Sequence, residues 1–348
     1  MPGYYYLPTV LLLYIAACTA APGAQAPGDA RQDLPSDSLR VARQAAEYDP
    51  QEAIWLIWPY QDHAVGYSAD AVTLAIVKAV APHQTVHLTA RNEEQLQEAR
   101  AAIPAVLQES GRVFFHQIPS MELWVRDMGP NFVTLTDGRQ AVVDFNFNSW
   151  GYSSVDDPYS QTEEKYDERL AAHLGLPLLS SDLISEGGNR EVNGEGVLLL
   201  VSRVSEGRNP DWARAEMERE FKRLLGVEKI IWLPAGVYED DHTFRGPLTL
   251  ADGSKAYTVV TTDGHIDEFA RFVNDSTILL AEVPAADLHD PIAQENKRRM
   301  DANYEILRQA TDHAGRPFHI IRVPTPPTIV RRMKPGDSVY DYISTLDY

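Results

Sequence analysis

The stretch TTDGHIDEFARF, residues 261–272, sets an imidazole, His265, two positions before a carboxylate, Asp267, just after an Asp-Gly turn signal. An imidazole titrates near neutral pH and can pass protons in either direction. A carboxylate beside it can hold it or bind a cation. At this spacing the two side chains diverge on a helix but share one face on a strand, roughly 7 Å apart. The spacing therefore predicts a strand end that presents both groups to one cleft. The bland alternative is a surface His-Asp pair.

Three further places combine polar groups with turn or aromatic residues. In WVRDMGP, residues 124–130, Asp127 is expected at the tip of a strand that ends in a Gly-Pro turn, with Trp124 available to floor a pocket or to pack in the core. In ISEGGN, Glu186 precedes two glycines, which permit close approach of another group. Asn193-Gly194 nearby is a hairpin signal. In WLPAGVYEDDHTF, Trp232, Asp240, Asp241 and His242 gather. The sequence contains no HExxH, EF-hand loop, P-loop, GxGxxG or GxSxG pattern, so a metal, a nucleotide cofactor and a serine nucleophile are not expected.

The elements that must position these groups are legible as short runs. AIWLIWP, TVHLTA, RVFFHQIP, NFVTLT, AVVDFNFN, GVLLLVS, KIIWLPAG, TILLAEVP and FHIIRVP are rich in β-branched and aromatic residues and bounded by Gly or Pro, as strands are. Helical spacing of apolar residues covers 69–80, 92–109, 210–225 (with Asn209 as N-cap and Pro210 as first residue) and 291–310. Alternating strands and helices predict an α/β fold in one domain over residues 46–348. No sequence repeat of fixed period is visible.

The chain has 348 residues and a formal net charge of −19. That charge argues against nucleic acid and suits a cationic ligand. The single cysteine is Cys18, so no intrachain disulfide forms. It follows an apolar run, Leu7–Ala17, in a segment that resembles a lipoprotein signal peptide. Residues 1–18 are therefore expected to direct export, with lipid attached at Cys18, to the cell envelope of a bacterium, free secretion being the alternative. Residues 19–45, rich in Ala, Pro, Gly, Asp and Gln, read as a flexible tether.

WVRDMGP, EGGN, RNP, IIWLPAG and DGHIDEFARF, in that order, resemble the agmatine deiminases and the Porphyromonas-type peptidylarginine deiminases. The resemblance runs from about Trp55 nearly to the C-terminal end. It implies the pentein fold, an α/β propeller of pseudo-fivefold symmetry, and metal-free hydrolysis of a guanidinium group to a ureido group and ammonia. Carried over, Asp127 and Asp267 are the carboxylates that grip the guanidinium, His265 the general acid/base, Glu186 the group that orients His265, and Trp124 a lining residue. Agmatine, giving N-carbamoylputrescine, is the first expected substrate and peptidyl-arginine the second. A non-catalytic guanidino-ligand-binding envelope protein is the reading from another class. The family's nucleophile is a cysteine after a Gly-rich stretch near the C-terminus, and the only cysteine in this sequence is Cys18. The last unit is accordingly expected to be truncated. A segment without counterpart in small agmatine deiminases, residues 242–261, is expected to form a hairpin near the site mouth.

Overall fold

In the computed structural model, all nine of those apolar runs form strands. The structure describes residues 39–59, 69–258, 261–332, 334 and 335. Cys18, the leader-like segment 1–18 and tether residues 19–38 lie outside the described residues.

The first sheet is parallel, with β2 (Ala53–Ile57), β3 (Thr85–Ala90) and β4 (Val113–Gln117) side by side. The connections carry α1 (Ala69–Val80), α2 (Glu93–Ala102) and α3 (Ala105–Glu109). Val77, Leu96 and Ala99 of these helices bury Val86, Leu88 and Ala90 of β3. The expected single helix over 92–109 is two, because Pro104 has no N–H to donate and interrupts the ladder.

The next sheets share one topology, a hairpin followed by a crossover helix and a parallel strand. β5 (Asn131–Leu135) and β6 (Gln140–Asn146) pair antiparallel, and β7 (Leu178–Ile184) joins β6 in parallel after α5 (Pro158–Glu164) and α6 (Tyr166–Leu174). β8 (Glu191–Val192) and β9 (Val197–Val201) form a hairpin through Asn193-Gly194, as its signal predicts, and β10 (Lys229–Leu233) runs parallel to β9. β13 (Ala270–Phe272), β14 (Thr277–Glu282) and β15 (His319–Pro324) repeat the pattern around α9 (Pro291–Leu307). Segment 242–261 contains the expected hairpin, β11 (Leu248–Thr249) with β12 (Lys255–Ala256).

β9 is the spine of the core. Leu198 and Leu200 pack with Phe145, Leu183 and Phe221 on one face, whereas Val197, Leu199 and Val201 pack with Phe269, Ile278 and Met300 on the other. Strand alternation places successive side chains in two different cores, which is why VLLLV carries no polar residue.

Four local expectations are corrected. The tether reading fails at its end, where β1 (Val41–Gln44) pairs antiparallel with β5. Asn209 does not start a helix. It closes α7 (Ser202–Arg208), and α8 (Arg214–Leu225) begins later. Its amide is committed to β7: Nδ2 donates to the Ile184 carbonyl at 2.8 Å and Oδ1 accepts from the Ile184 N–H at 2.9 Å. Asp127 sits in a one-turn helix, α4 (Val125–Met128), rather than at a strand tip. His265 precedes a 3-10 turn, Ile266–Glu268, and the strand begins only at Ala270.

Candidate active site

Three chain segments converge on Gly188. A Cβ placed there would lie 2.4 Å from His265 Nδ1, 2.7 Å from Asp127 Oδ1 and 3.0 Å from Asp267 Oδ2. Glycine is required by this close approach, since any side chain would displace the polar groups. The Gly188 N–H also donates to Asp127 Oδ1 at 2.9 Å. Asp127 Oδ2 accepts from Trp150 Nε1 at 3.0 Å. Both carboxylate oxygens are thus fixed before any ligand arrives. Gly188→Ala is expected to weaken binding of a guanidinium ligand at least tenfold and to cost about 1–3 kcal/mol of stability through overpacking; calorimetry and thermal melting measure the two effects separately.

His265 is buried, with Nδ1 3.4 Å from Asp127 Oδ1 and Nε2 3.9 Å from Glu186 Oε2. Nε2 has no hydrogen-bond partner. Burial disfavours the imidazolium, but Asp127, Glu186 and Asp267 outweigh it and raise the pKa to about 9. Glu186 is buried behind the ring, and its Oε1 accepts from Arg208 Nε at 2.6 Å. Burial would raise its pKa, yet Arg208 and His265 hold it well below the ordinary carboxylate range. Asp267 is shifted upward, by burial first, with His265 opposing and Asp127 reinforcing.

The backbone before His265 is held by Asp240. Its carboxylate accepts from the N–H groups of Thr262 and Gly264, the latter at 2.8 Å, and from the Thr262 hydroxyl. Gly264, at φ 97°, lies against Gly236 so closely that a Cβ on Gly236 would meet it at 2.5 Å. The stretch Thr262–His265 is therefore a pinned turn, which explains why the predicted strand gives way. Three polar side chains within five residues all need buried partners, and a flat strand cannot aim them at one point.

The structure brings His265 and Asp267 together with Asp127 and Glu186, the set that the family resemblance implies. Asp240 joins them as a loop anchor. Trp124 precedes α4 and is 44% exposed. Trp232 lies elsewhere, donating to Glu218 and packing beside the core that contains Phe221. Sequence reasoning missed Arg208 and Trp150. Arg208 is buried and also donates to the Thr262 carbonyl at 2.9 Å, so it links Glu186 to the His265 loop. Trp150 holds φ 56°, an uncommon value for a bulky residue, while its indole reaches Asp127. The quoted RNP motif, beginning at Arg208, was the available signal for the first; nothing local marked the second.

Comparisons with known proteins identify the family. The model of the family described as Porphyromonas-type peptidyl-arginine deiminase matches residues 43–246 and 247–346. The agmatine deiminase of Pseudomonas aeruginosa (strain LESB58) is 30% identical over 304 residues, covering 85% of this chain and 74% of that protein. The agmatine deiminase of Stutzerimonas stutzeri (strain A1501) is 30% identical over 292 residues, covering 81% and 70%. Among solved structures, the agmatine deiminase of Enterococcus faecalis matches with a TM-score of 0.68 at 22% identity, over 86% of this chain and 74% of that one, which supports the fold. With the family model covering nearly all of the described body, the chain belongs to the Porphyromonas-type peptidyl-arginine deiminase family, which includes the agmatine deiminases.

Proposed function

We propose that this site grips a guanidinium group between Asp127 and Asp267 and moves protons through His265, with agmatine as the ligand. The observation that carries the reading is the meeting of Asp127, His265 and Asp267 around Gly188, with Glu186 and Arg208 behind the imidazole. A guanidinium is planar and presents forked N–H donors, which paired carboxylates accept with charge-assisted bonds. The relatives named agmatine deiminase favour agmatine over peptidyl-arginine. The repeated hairpin-crossover topology supports a pentein-like arrangement of the sheets around a common centre.

The mechanism follows from charge. Without ligand, the His265 imidazolium is the counterion of Asp127. A bound guanidinium competes for the same carboxylate, so it lowers the pKa of His265 toward the ordinary imidazole range. There a ring can take a proton from an attacking group and return it to departing ammonia. Glu186, ionised because Arg208 neutralises it, keeps the ring oriented and stabilises its charged form. Complete deimination also needs a nucleophile. The described residues include no cysteine, so the proposal for this chain covers recognition and proton transfer.

Titration calorimetry with agmatine tests it. Because ligand and imidazolium compete, affinity is expected to climb with pH, up to about tenfold per unit below the His265 pKa of about 9, and then to level off. The same calorimetry in two buffers of different ionisation heat should register proton release on binding. A flat or falling affinity between pH 7 and about pH 9 would sink the reading.

We also propose, on the composition of residues 7–18, that the protein is exported and lipidated at Cys18. Mass spectrometry of the mature N-terminus is expected to find a diacylglyceryl cysteine. Recovery of an intact Met1 would refute it.

A further inference from the structure

The inserted segment 242–261 does more than decorate the surface. Arg245, in the 3-10 turn Thr243–Arg245, forms a two-pronged pair with Asp263: Nε donates to Oδ1 at 3.0 Å and Nη2 to Oδ2 at 2.7 Å. Asp263 lies two residues before His265 and adopts φ 69°, a conformation that costs a non-glycine residue energy unless its surroundings enforce it. Its side chain is 3% exposed, whereas that of Arg245 is 47% exposed, so the strained turn is held from outside. The His242 N–H adds a bond to Asp263 Oδ1 at 3.2 Å. Arg203 approaches the same oxygen at 3.3 Å and divides itself with Asp241, 3.0 Å away.

A second tie runs through Tyr152. Its hydroxyl is 2.9 Å from Thr243 Oγ1 and 2.7 Å from Thr261 Oγ1, the two ends of the inserted segment. Its ring lies 4.2 Å from that of His242. Two residues earlier, Trp150 holds Asp127. The segment is thus fastened at its base to both halves of the site: to the His265 loop through Asp263, and to the stretch that fixes the Asp127 carboxylate.

We propose that the inserted segment is a built-in positioning device, in which Arg245 acts through Asp263 to hold the imidazole of His265 at its working distance from Asp127 and Glu186. This rests on the guanidinium-site reading only for the use made of His265; the positioning itself is independent of any ligand. Removing Arg245 leaves Asp263 with Arg203 and one backbone N–H, so the turn keeps its ties to Asp240 and Arg208 but loses the one that holds Asp263 at positive φ. The imidazole then moves relative to the groups that face it. These are Asp127 from α4, Glu186 from the turn after β7, Asp240 from the turn after β10, and Asp267 and Glu268 from its own turn. Arg245 pairs with Asp263 and with neither carboxylate of the Asp127–Asp267 grip.

The experiment is an NMR titration of the His265 ring in the full chain, its signal identified by its loss in His265→Gln. Arg245→Ala is expected to lower the His265 midpoint by about one pH unit or more, since imidazolium stabilisation depends on its carboxylate distances. Arg245→Lys should recover part of that shift, and agmatine affinity above the His265 midpoint should stay at the wild-type value. Should Arg245→Ala fail to fold, Tyr152→Phe, which removes the hydroxyl bridge alone, carries the test with a smaller shift in the same direction. A midpoint that matches wild type in a folded Arg245→Ala, or in Tyr152→Phe where that variant stands in, overturns the proposal. A wild-type midpoint that agmatine fails to lower overturns the guanidinium reading instead, and the ligand-free titration still decides the role of Arg245.

Discussion

Asp267→Asn should weaken agmatine binding by about 10- to 150-fold at saturating pH, the equivalent of one charge-assisted hydrogen-bonded contact of roughly 1.5–3 kcal/mol. Asp267 is the cleaner of the two carboxylates to change. Asp127 has both oxygens committed, to Gly188 and Trp150, so an amide there would set N–H against N–H and distort the pocket. Asp267 belongs to the turn Ile266–Glu268, and its Oδ2 points toward the position that a Cβ on Gly188 would occupy. The variant also removes one of the charges that raise the His265 pKa, so its affinity should level off at a lower pH than wild type. Calorimetry across pH distinguishes the two effects. Wild-type affinity in Asp267→Asn would remove this residue from the grip.

Arg208→Ala is expected to produce the largest loss of stability. The Glu186 side chain is 1% exposed and that of Arg208 is 4% exposed. Removing one partner of a buried ion pair strands the other charge, at a typical cost of roughly 3–5 kcal/mol. The Thr262 carbonyl loses its donor as well. The sign of the pH dependence is fixed by the direction of the Glu186 shift. A depressed carboxylate pKa contributes stability that is present above its ordinary value near 4.5 and is lost as pH falls through the depressed value. Wild type should therefore keep this contribution in mild acid, and Arg208→Ala should retain only the part that His265 supplies. His265, shifted the other way, contributes stability that is full below its ordinary value near 6.5 and disappears as pH rises through about 9. Thermal melts of both forms from acid to alkaline pH measure these slopes. In the double variant with Glu186→Gln, part of the stability should return, because an uncharged side chain is cheaper to bury alone.

The readable parts of this structure were those set by local rules. AIWLIWP and GVLLLVS became strands because β-branched and aromatic residues fit a pleated sheet, and residues 69–80 became α1 at the expected bounds. The errors arose where a distant partner outweighed local preference. Asn209 has the chemistry of an N-cap, but Ile184 claims its amide from 25 residues away. His265 and Asp267 alternate as strand residues do, yet Asp240 and Gly236 bend their backbone into a turn. The site's carboxylates and imidazole were legible because isolated charges beside Gly or Trp stand out against apolar runs. Trp150 did not stand out, since a tryptophan near Phe147 reads as core, and it does pack there with Phe147 while its N–H serves Asp127.

The placement of the site residues along the chain has a thermodynamic consequence. Asp127 lies in the link between the sheet that ends at β4 and the one that contains β5. Glu186 and Gly188 lie between β7 and β8, and His265 and Asp267 lie between β10 and β13. No sheet owns the pocket; each seam contributes one wall. A ligand bound there pays back its affinity only while all the seams are closed, so opening any one sheet forfeits the same binding free energy. Saturation with ligand should therefore level the differences in opening free energy among the four sheets that these seams join. The weakest of them would then exchange its amide hydrogens only when the whole body unfolds.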